Sequence, residues 1–489
     1  MTKKKSLNPL KRKEVIRFFM RRAAHNSLLR RVVINKIQKS MWRNLVEKNR
    51  GQFPRQVQLD KIDMGKALFG TIHRNIKRKL FSKQWLNKFM DIHIENLETR
   101  GMTVKKAIER VGFEPPLFIT ISPEEKCNLN CPGCYAESNW KTAHQLDWDT
   151  FDRILTEKRE LWGSYFTVIS GGEPFLWQDK GKTFIDMIKK HDNQFFLVYT
   201  NGTLIDKDMT RQLLELGNLT PGISVEGFEK ETDARRGKGV YKKILNAMEN
   251  LRSAGVPFGV SITAMRHNWD LVSRDEFFDF WFNQQGATYA WIFQYMPIGR
   301  NGSFEMMVTP EQRMEMLIRM WKAVREKKLF MADFWNSGTT TSGCIAGGRP
   351  GGYFYITWKG DITPCVFVPY SANNIYDLYK KGGTLDDILL TPMFKRVREW
   401  QASYGFSLYD PRYQGCCAQN WLAPCFIRDH HEEFMKAARD SSAKPIDVGA
   451  DNAWASDEYH QQMIKYGEEF NAISSSLWNS FYIADQGKN

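Results

Sequence analysis

The chain has 489 residues, of which 42% are hydrophobic, 13% aromatic and 26% charged. These are the values of a globular protein long enough for two or three domains, and they exclude a disordered or fibrous chain. The formal net charge of +15 is concentrated at the start, because residues 1–100 hold 26 Lys and Arg against 7 Asp and Glu. No stretch predicts a membrane span or a secretory signal, so we expect a cytoplasmic protein.

Residues 1–112 predict a basic helical extension. One helix face carries an i, i+4 apolar row, namely Leu29, Val33, Ile37, Met41 and Leu45. Such a row most often packs against the rest of the fold. Because Lys and Arg cover the other faces, peripheral contact with the anionic inner surface of the membrane is a second interpretation. Interleaved Arg, Phe and Trp would also suit RNA, so binding of nucleic acid is the third and least favoured interpretation.

Residues 113–329 alternate short β-branched or aromatic runs with amphipathic stretches. The predicted strands are Leu117–Ile121, Tyr165–Ser170, Phe195–Thr200, Gly222–Val225, Phe258–Met265 and Tyr289–Met296. The predicted helices lie near 148–160, 181–191, 206–216, 241–254 and 272–283. Repeated βαβ units predict an α/β fold whose parallel sheet curls into a partial or full barrel. Polar, glycine-rich or cysteine-bearing segments follow most of these strands, where the chemistry of such folds collects.

Three of the eight cysteines follow the first predicted strand with the spacing Cys-x3-Cys-x2-Cys, at Cys127, Cys131 and Cys134. In a cytosolic protein, clustered cysteines indicate metal binding or catalysis more often than disulfides. Three thiolates from one loop can hold three irons of a 4Fe-4S cluster and leave the fourth iron without a protein ligand. An open coordination position makes a metal centre reactive. A structural zinc site is the alternative.

This spacing and its companions resemble the radical S-adenosylmethionine (radical SAM) superfamily over about residues 115–300. The resemblance implies a partial (β/α)6 barrel in which the three cysteines hold a catalytic 4Fe-4S cluster. It also implies that the amino and carboxylate groups of S-adenosylmethionine chelate the open iron. One electron, from a flavodoxin- or ferredoxin-type donor, then cleaves the sulfonium and releases a 5′-deoxyadenosyl radical, which abstracts hydrogen from an unactivated C–H bond.

The same resemblance implies a set of cofactor-binding residues, which are Gly171, Gly172, Glu173, Pro174, Asn201, Ser224 and Arg236. The Gly-Gly-Glu-Pro segment matches the family's site for the amino group, since glycines permit close backbone approach. Ser224 matches a ribose contact, and Arg236 matches the arginine that pairs with the carboxylate. The competing interpretation of Ser224 and Asn201 is that they are polar strand-end residues whose hydrogen bonds are made within the protein. For Glu173 and Arg236 it is an ordinary ion pair.

One position departs from the family pattern. Many members place an aromatic residue just before the third cysteine, against the adenine, whereas this chain has Gly133 there and Tyr135 just after. Which residue covers the adenine stays open. Three residues at predicted strand exits are candidate substrate contacts, namely Glu226, Tyr295 and Arg300.

Residues 330–428 hold the other five cysteines and predict a small second domain. Tyr353–Trp358 and Ile362–Val366, joined by a turn with Gly360, predict a β-hairpin. The spacing from Cys344 through Gly360 to Cys365 resembles the start of the auxiliary-cluster extension called SPASM or, in shorter form, twitch. Five cysteines suffice for one auxiliary 4Fe-4S cluster, whose predicted ligands are Cys344, Cys365, Cys425 and one of Cys416 and Cys417. A zinc site or unliganded thiols are the alternative.

These patterns together predict a radical SAM enzyme. The auxiliary-domain resemblance implies a peptide or protein substrate, and the basic start suggests a membrane lipid. The alternative from another class is a non-catalytic, membrane-associated iron-sulfur or zinc protein that senses redox state. Residues 429–489 predict a helical segment without readable chemistry.

Overall fold

The computed structural model describes residues 9–49, 53–142, 144–405 and 419–484. The strands are β1 Phe118–Glu124, β2 Phe166–Gly171, β3 Gln178–Asp179, β4 Lys182–Thr183, β5 Phe195–Thr200, β6 Leu219–Val225, β7 Gly259–Ala264, β8 Ala290–Gln294, β9 Met331–Asp333, β10 Tyr355–Ile356, β11 Asp361–Thr363, β12 Tyr370–Ser371, β13 Asn373–Asn374 and β14 Lys444–Pro445.

The helices before β9 are α1 Pro9–His25, α2 Ser27–Trp42, α3 Arg55–Lys77, α4 Lys83–Val111, α5 Trp148–Trp162, α6 Phe184–Lys190, α7 Lys207–Leu216, α8 Glu229–Arg236, α9 Val240–Ala254, α10 Trp269–Val272, α11 Asp275–Asp279 and α12 Pro310–Glu326. The later helices are α13 Gly338–Thr341, α14 Ile375–Lys380, α15 Leu385–Leu389, α16 Pro392–Ser403, α17 Phe426–Asp429, α18 His431–Asp440, α19 Val448–Ala455 and α20 Asp457–Leu477.

A large, mainly parallel sheet forms the centre of the molecule, with the strand order β13-β11-β10-β1-β2-β5-β6-β7-β8-β9. Every neighbouring pair from β10 to β9 in this order is parallel. One or two helices lie between successive parallel strands from β1 to β9. The predicted α/β fold with a parallel sheet is therefore confirmed, and β1, β2, β5, β6, β7 and β8 are its six predicted strands.

The sheet curls around an interior cavity. Tyr199 on β5 and Phe293 on β8 have two strands between them, yet their ring centroids are 5.4 Å apart with the rings edge to face. Side chains alternate across each strand. Ile119 and Ile121 of β1 are therefore buried in the core, while Thr120 between them lines the cavity.

Residues 330–428 continue the barrel sheet at both edges. β9 adds parallel to β8, and β10 adds parallel to β1 with Tyr355 opposite Thr120. β10 and β11 form the predicted hairpin, and Gly360 takes the positive φ of +82° that its turn requires. The second group of cysteines is thereby brought beside the strand that leads into the first.

The helices α1–α4 form a layer in which α1 is tied to α4. Arg17 and Arg21 pair with Asp91 at 3.1 and 2.5 Å. Four of the five residues in the predicted apolar row of α2 are half-buried, and a Cβ at Gly65 of α3 would overlap the methyl group of Met41. This row is therefore used within the fold. No helix among the described residues has the length and apolarity that a membrane crossing needs.

Candidate active site

All six cysteines in the described part of the chain line one cavity of about 610 Å³ inside the barrel. The loop after β1 contributes Cys127, Cys131 and Cys134, and the later segment contributes Cys344, Cys365 and Cys425. Cys416 and Cys417 lie outside the described residues. Two groups that were predicted separately from the sequence thus open onto a shared interior space.

Backbone hydrogen bonds and two arginines shape the first cysteine loop. The Cys127 N–H donates to the Asn139 carbonyl at 3.1 Å. Arg300 donates to three carbonyls at 2.8, 2.7 and 2.6 Å, those of Cys131, Glu137 and Ser138. Arg235 donates to two more, both at 3.3 Å, those of Pro132 and Gly133. The carbonyls of the loop are thus bonded to the protein, and its thiols line the cavity.

The donor set of this loop fits an iron-sulfur cluster with one open iron. Burial, followed by the nearby charge of Glu173, raises the pKa of Cys127 to about 12. Metal ligation requires the thiolate, so the positive charge of the cluster irons would have to compensate the free-energy cost of deprotonating this buried thiol. Three thiols on one loop supply three of the four ligands that a cubane cluster takes. Within the described ranges, no group of three or more His, Cys, Asp or Glu is spaced to hold a single metal ion.

The Gly-Gly-Glu-Pro segment after β2 packs directly on the end of β1. The Gly172 N–H donates to the Glu124 carbonyl at 2.8 Å. A Cβ at Gly171 would lie 2.6 Å from that carbonyl oxygen, and one at Gly172 would overlap the Lys126 carbonyl. Only glycine allows this approach, which places the segment against the residue that precedes Cys127.

Glu173 is fully buried, and its carboxylate is bonded within the protein. One oxygen accepts the Thr200 hydroxyl and the other accepts the Asn201 N–H, both at 2.8 Å. Burial raises the pKa of Glu173 to about 7. Among the described residues Glu173 makes no ion pair with Arg236, which pairs with Glu226 instead. Glu173 and Pro174 therefore lie behind the cavity wall, and Glu173 joins it to the end of β5.

Five of the predicted cofactor-binding residues line the cavity together with the first three cysteines, namely Gly171, Gly172, Asn201, Ser224 and Arg236. The Asn201 side-chain nitrogen lies 3.8 Å from the Cys127 sulfur. Ser224 on β6 is in register with Ser261 on β7. Although burial opposes it, the carboxylate of Glu226 raises the pKa of Arg236, so its guanidinium stays charged.

The three candidate substrate contacts have other partners. Arg300 holds the cysteine loop, and Glu226 pairs with Arg235 and Arg236. The ring of Tyr295 lies against Gly133, where a Cβ would come within 2.8 Å of it. Tyr295 thus occupies the space that a side chain before the third cysteine would need. The sequence carried no signal for this contact, because the two residues lie in distant βα units.

In the second group of cysteines, Cys365 is buried, and Cys344 and Cys425 are half-buried like the cysteines of the first loop. The Cys365 sulfur lies 3.0 Å from the Tyr353 hydroxyl, and burial raises the pKa of Cys365 to about 12. Burial, then Asp429, then the thiolates of Cys344 and Cys365, raise the pKa of Cys425 well above its usual value. These three thiols are close enough to affect each other electrostatically.

An aromatic wall around Phe367, which lies two residues after Cys365 and contacts Tyr135 next to Cys134, was missed by the sequence reasoning. Four rings surround Phe367 with centroid distances of 4.6, 5.3, 6.0 and 6.3 Å, those of Trp335, Phe334, Phe293 and Tyr135. Among the described residues that line the cavity, the basic side chains are Arg235 and Arg236. Positive charge is therefore confined to the end that holds the first cysteine loop.

A parallel barrel whose first loop turns three cysteines into the interior is an arrangement that suits an iron-sulfur enzyme. Residues 121–279 match the family model described as the Radical SAM superfamily. This match indicates a radical SAM enzyme, and binding of S-adenosylmethionine and of an iron-sulfur cluster is expected of that family.

Three similar proteins illustrate the range of the match. Fe-coproporphyrin III synthase of Methanosarcina barkeri is 29% identical over 29% of this chain and 36% of its own length. The chain thus spans about a third of that relative. Mycofactocin maturase MftC of Mycolicibacterium smegmatis is 28% identical over 63% of this chain and 76% of its own length. The structure of Streptococcus suis SuiB bound to precursor peptide SuiA shares 16% identity, with a TM-score of 0.48 over 62% of this chain and 71% of its own.

Proposed function

We propose that this enzyme abstracts hydrogen from a C–H bond of a peptide or protein substrate. The observation that carries the proposal is that both cysteine groups line one interior, largely apolar cavity. Cys127, Cys131 and Cys134 would hold the catalytic 4Fe-4S cluster. Cys344, Cys365 and Cys425, with Cys416 or Cys417, would hold one auxiliary 4Fe-4S cluster. When bound and reduced by a flavodoxin- or ferredoxin-type donor, the catalytic cluster would supply the electron for cleavage of S-adenosylmethionine into methionine and the 5′-deoxyadenosyl radical.

The residues around the first loop bind and orient the cofactor. The guanidinium of Arg236 pairs with its carboxylate, and the hydroxyl of Ser224 bonds its ribose. Backbone groups at Gly171 and Gly172, which the close packing on the end of β1 holds in place, would approach its amino group. The aromatic wall excludes water from the reacting region, and exclusion of water protects a reactive intermediate from side reactions.

The charge of the lining favours a peptide side chain over a tetrapyrrole. A coproporphyrin bears several carboxylates, and each buried carboxylate needs a cationic or hydrogen-bonding partner. In the described lining, the cations are Arg235 and Arg236, and both lie at the cofactor end and not at the aromatic end. An uncharged side chain enters the aromatic end without the free-energy cost of burying a carboxylate that has no partner. The description of MftC as a maturase supports the same choice.

The proposal is tested by anaerobic reconstitution of the full chain, followed by reduction with S-adenosylmethionine and chromatography for 5′-deoxyadenosine. Two 4Fe-4S clusters correspond to about eight irons per chain. In the Cys344→Ala and Cys365→Ala variants we expect about four irons and persistent slow cofactor cleavage, because the first loop is intact. Wild-type protein that holds only about four irons would exclude the auxiliary cluster, and absent cofactor cleavage would exclude the proposed chemistry.

We further propose that α1 and α2 contact an anionic membrane surface through apolar residues outside the packed row. Phe18 and Leu28 are 57% and 71% exposed on these basic helices. Apolar side chains among Lys and Arg suit the headgroup region of a bilayer. The apolar residues and not charge alone would then enter the membrane.

Co-sedimentation with vesicles containing anionic lipid tests this contact. We expect binding at low salt and release at high salt, because the screening length falls from about 8 Å at physiological ionic strength to about 3 Å at 1 M. Leu28→Asp should weaken binding even at low salt. Val448→Asp is the matched control, since Val448 is 73% exposed elsewhere. Wild-type protein that ignores the vesicles at low salt would contradict the proposal.

A further inference from the structure

Glu226 lies between the cysteine loop and the cofactor arginine. It directly follows β6 and is 1% exposed. One carboxylate oxygen, Oε1, accepts hydrogen bonds from both arginines at the end of α8. The distances are 2.6 Å to Arg235 Nη1, 2.9 Å to Arg236 Nε and 2.5 Å to Arg236 Nη2. One oxygen atom therefore fixes two neighbouring guanidinium groups.

Arg235 extends this connection into the cysteine loop. Its Nε and Nη2 groups donate to the carbonyls of Pro132 and Gly133, both at 3.3 Å. These two residues are the whole span between the second and third cysteines. The chain of contacts thus runs from the loop through Arg235 and Glu226 to Arg236.

The backbone of Glu226 is anchored on α8 and on the residue that precedes α10. Its carbonyl accepts from the Asn268 side chain at 2.8 Å, and its N–H donates to the Thr232 hydroxyl at 3.3 Å. Its second carboxylate oxygen, Oε2, is buried without a hydrogen-bond partner among the described residues. All charge-assisted anchoring of the side chain therefore passes through Oε1 and the two arginines.

We infer that Glu226 is a positioning residue that couples the cysteine loop to the arginine of the cofactor site. The inference rests on the proposed function only in giving Arg236 the cofactor carboxylate. A shift of the loop displaces Arg235, and the shared oxygen passes that shift to Arg236. Loss of the Glu226 charge leaves two buried guanidinium groups side by side without a counter-charge, which is costly. Both the loop and Arg236 would then relax away from their positions.

The Glu226→Gln variant of the full chain tests the coupling, with Glu229→Gln on the exposed start of α8 as the matched control. In cluster-free protein, we expect faster amide hydrogen exchange at residues 127–139 in Glu226→Gln and wild-type exchange in the control. This readout depends on neither cluster nor activity. In reconstituted protein, the electron paramagnetic resonance change that S-adenosylmethionine causes in the reduced cluster should need about tenfold more cofactor.

Arg235→Lys is the second variant, and it still tests the coupling if the Glu226→Gln protein does not fold. A lysine cannot bond two carbonyls and a carboxylate in the fork geometry of arginine. We expect faster exchange in the loop and, because the effect passes through Glu226, a raised cofactor requirement as well. Unchanged exchange and unchanged cofactor requirement in both variants would overturn the coupling. A wild-type cluster that does not respond to S-adenosylmethionine would overturn the proposed function instead, while the exchange result still decides the coupling.

Discussion

Replacement of Cys134 by Ala is expected to abolish 5′-deoxyadenosine formation and to remove about one cluster's iron from the reconstituted protein. The remaining two thiols of the loop cannot hold a cubane that leaves one iron open. The other described cysteines that line the cavity belong to the second group and sit on other elements. Iron content and chromatography of the reaction mixture measure the two effects.

A control variant separates loss of the ligand from disturbance of the loop. Ser138→Ala lies in the same loop, and among the described residues the Ser138 hydroxyl donates only to the Ala136 carbonyl, at 3.4 Å. We expect this variant to keep its iron and its cofactor cleavage. Undiminished cleavage by fully reconstituted Cys134→Ala would refute the catalytic assignment of the loop.

The sequence could predict the parts of the site whose residues are close in the chain or lie at the ends of neighbouring strands in successive βαβ units. The three cysteines share the loop after β1, and Gly172 contacts the end of β1. Because β1 and β2 are parallel neighbours, their ends lie at the same edge of the sheet. Glycine spacing and strand order carry this information.

The contacts that the sequence could not predict arise from curling of the sheet. Tyr295 reaches Gly133 from the residue after β8. The aromatic wall forms where Phe293 of β8, the residues after β9 and the cysteine loop meet Phe367. Glu226 was placed correctly at a strand exit, but its role depends on Arg235, whose other partners lie in the cysteine loop. No local pattern encodes such pairs.

Two element bounds show a similar limit. The predicted strand began at Gly222, after Pro221, because proline disfavours the interior of a strand. In the structure, β6 already starts at Leu219 and is paired on both sides. The Pro221 carbonyl accepts the Tyr289 hydroxyl at 3.0 Å. The predicted helix at 272–283 is instead α11 followed by a π-type turn at Phe280–Gln284. Tertiary partners override local preference at both places.

The second large effect is expected at a buried ion pair behind the second cysteine group. Arg313 on α12 donates to both oxygens of Asp429 at the end of α17, at 2.5 and 3.0 Å, and neither side chain is accessible. Asp429 also accepts the Cys425 N–H at 3.0 Å. The pair thus connects a barrel helix with a predicted cluster ligand.

Arg313→Met should lower the free energy of unfolding by about 3–5 kcal/mol, because it leaves a buried carboxylate without its partner. Denaturant unfolding of the wild type and variant measures this difference. The double variant Arg313→Met with Asp429→Leu should recover most of the stability, since apolar replacement of a whole buried pair is often neutral. It should still lose auxiliary iron, because the Cys425 N–H then lacks its acceptor. Arg211→Met, in an exposed pair with Asp208, is the control and should change stability little.

The pH dependence of this effect has a definite sign. Although burial opposes it, Arg313 holds the pKa of Asp429 below its usual value. A carboxyl group whose pKa falls on folding stabilises the protein above the unfolded pKa of about 4, and this contribution is lost as the pH falls through the folded value. The stability difference between wild type and Arg313→Met should therefore be largest near neutral pH and shrink below about pH 4. A difference that stays constant from pH 7 to pH 3 would show that Asp429 is not the partner through which Arg313 stabilises the fold.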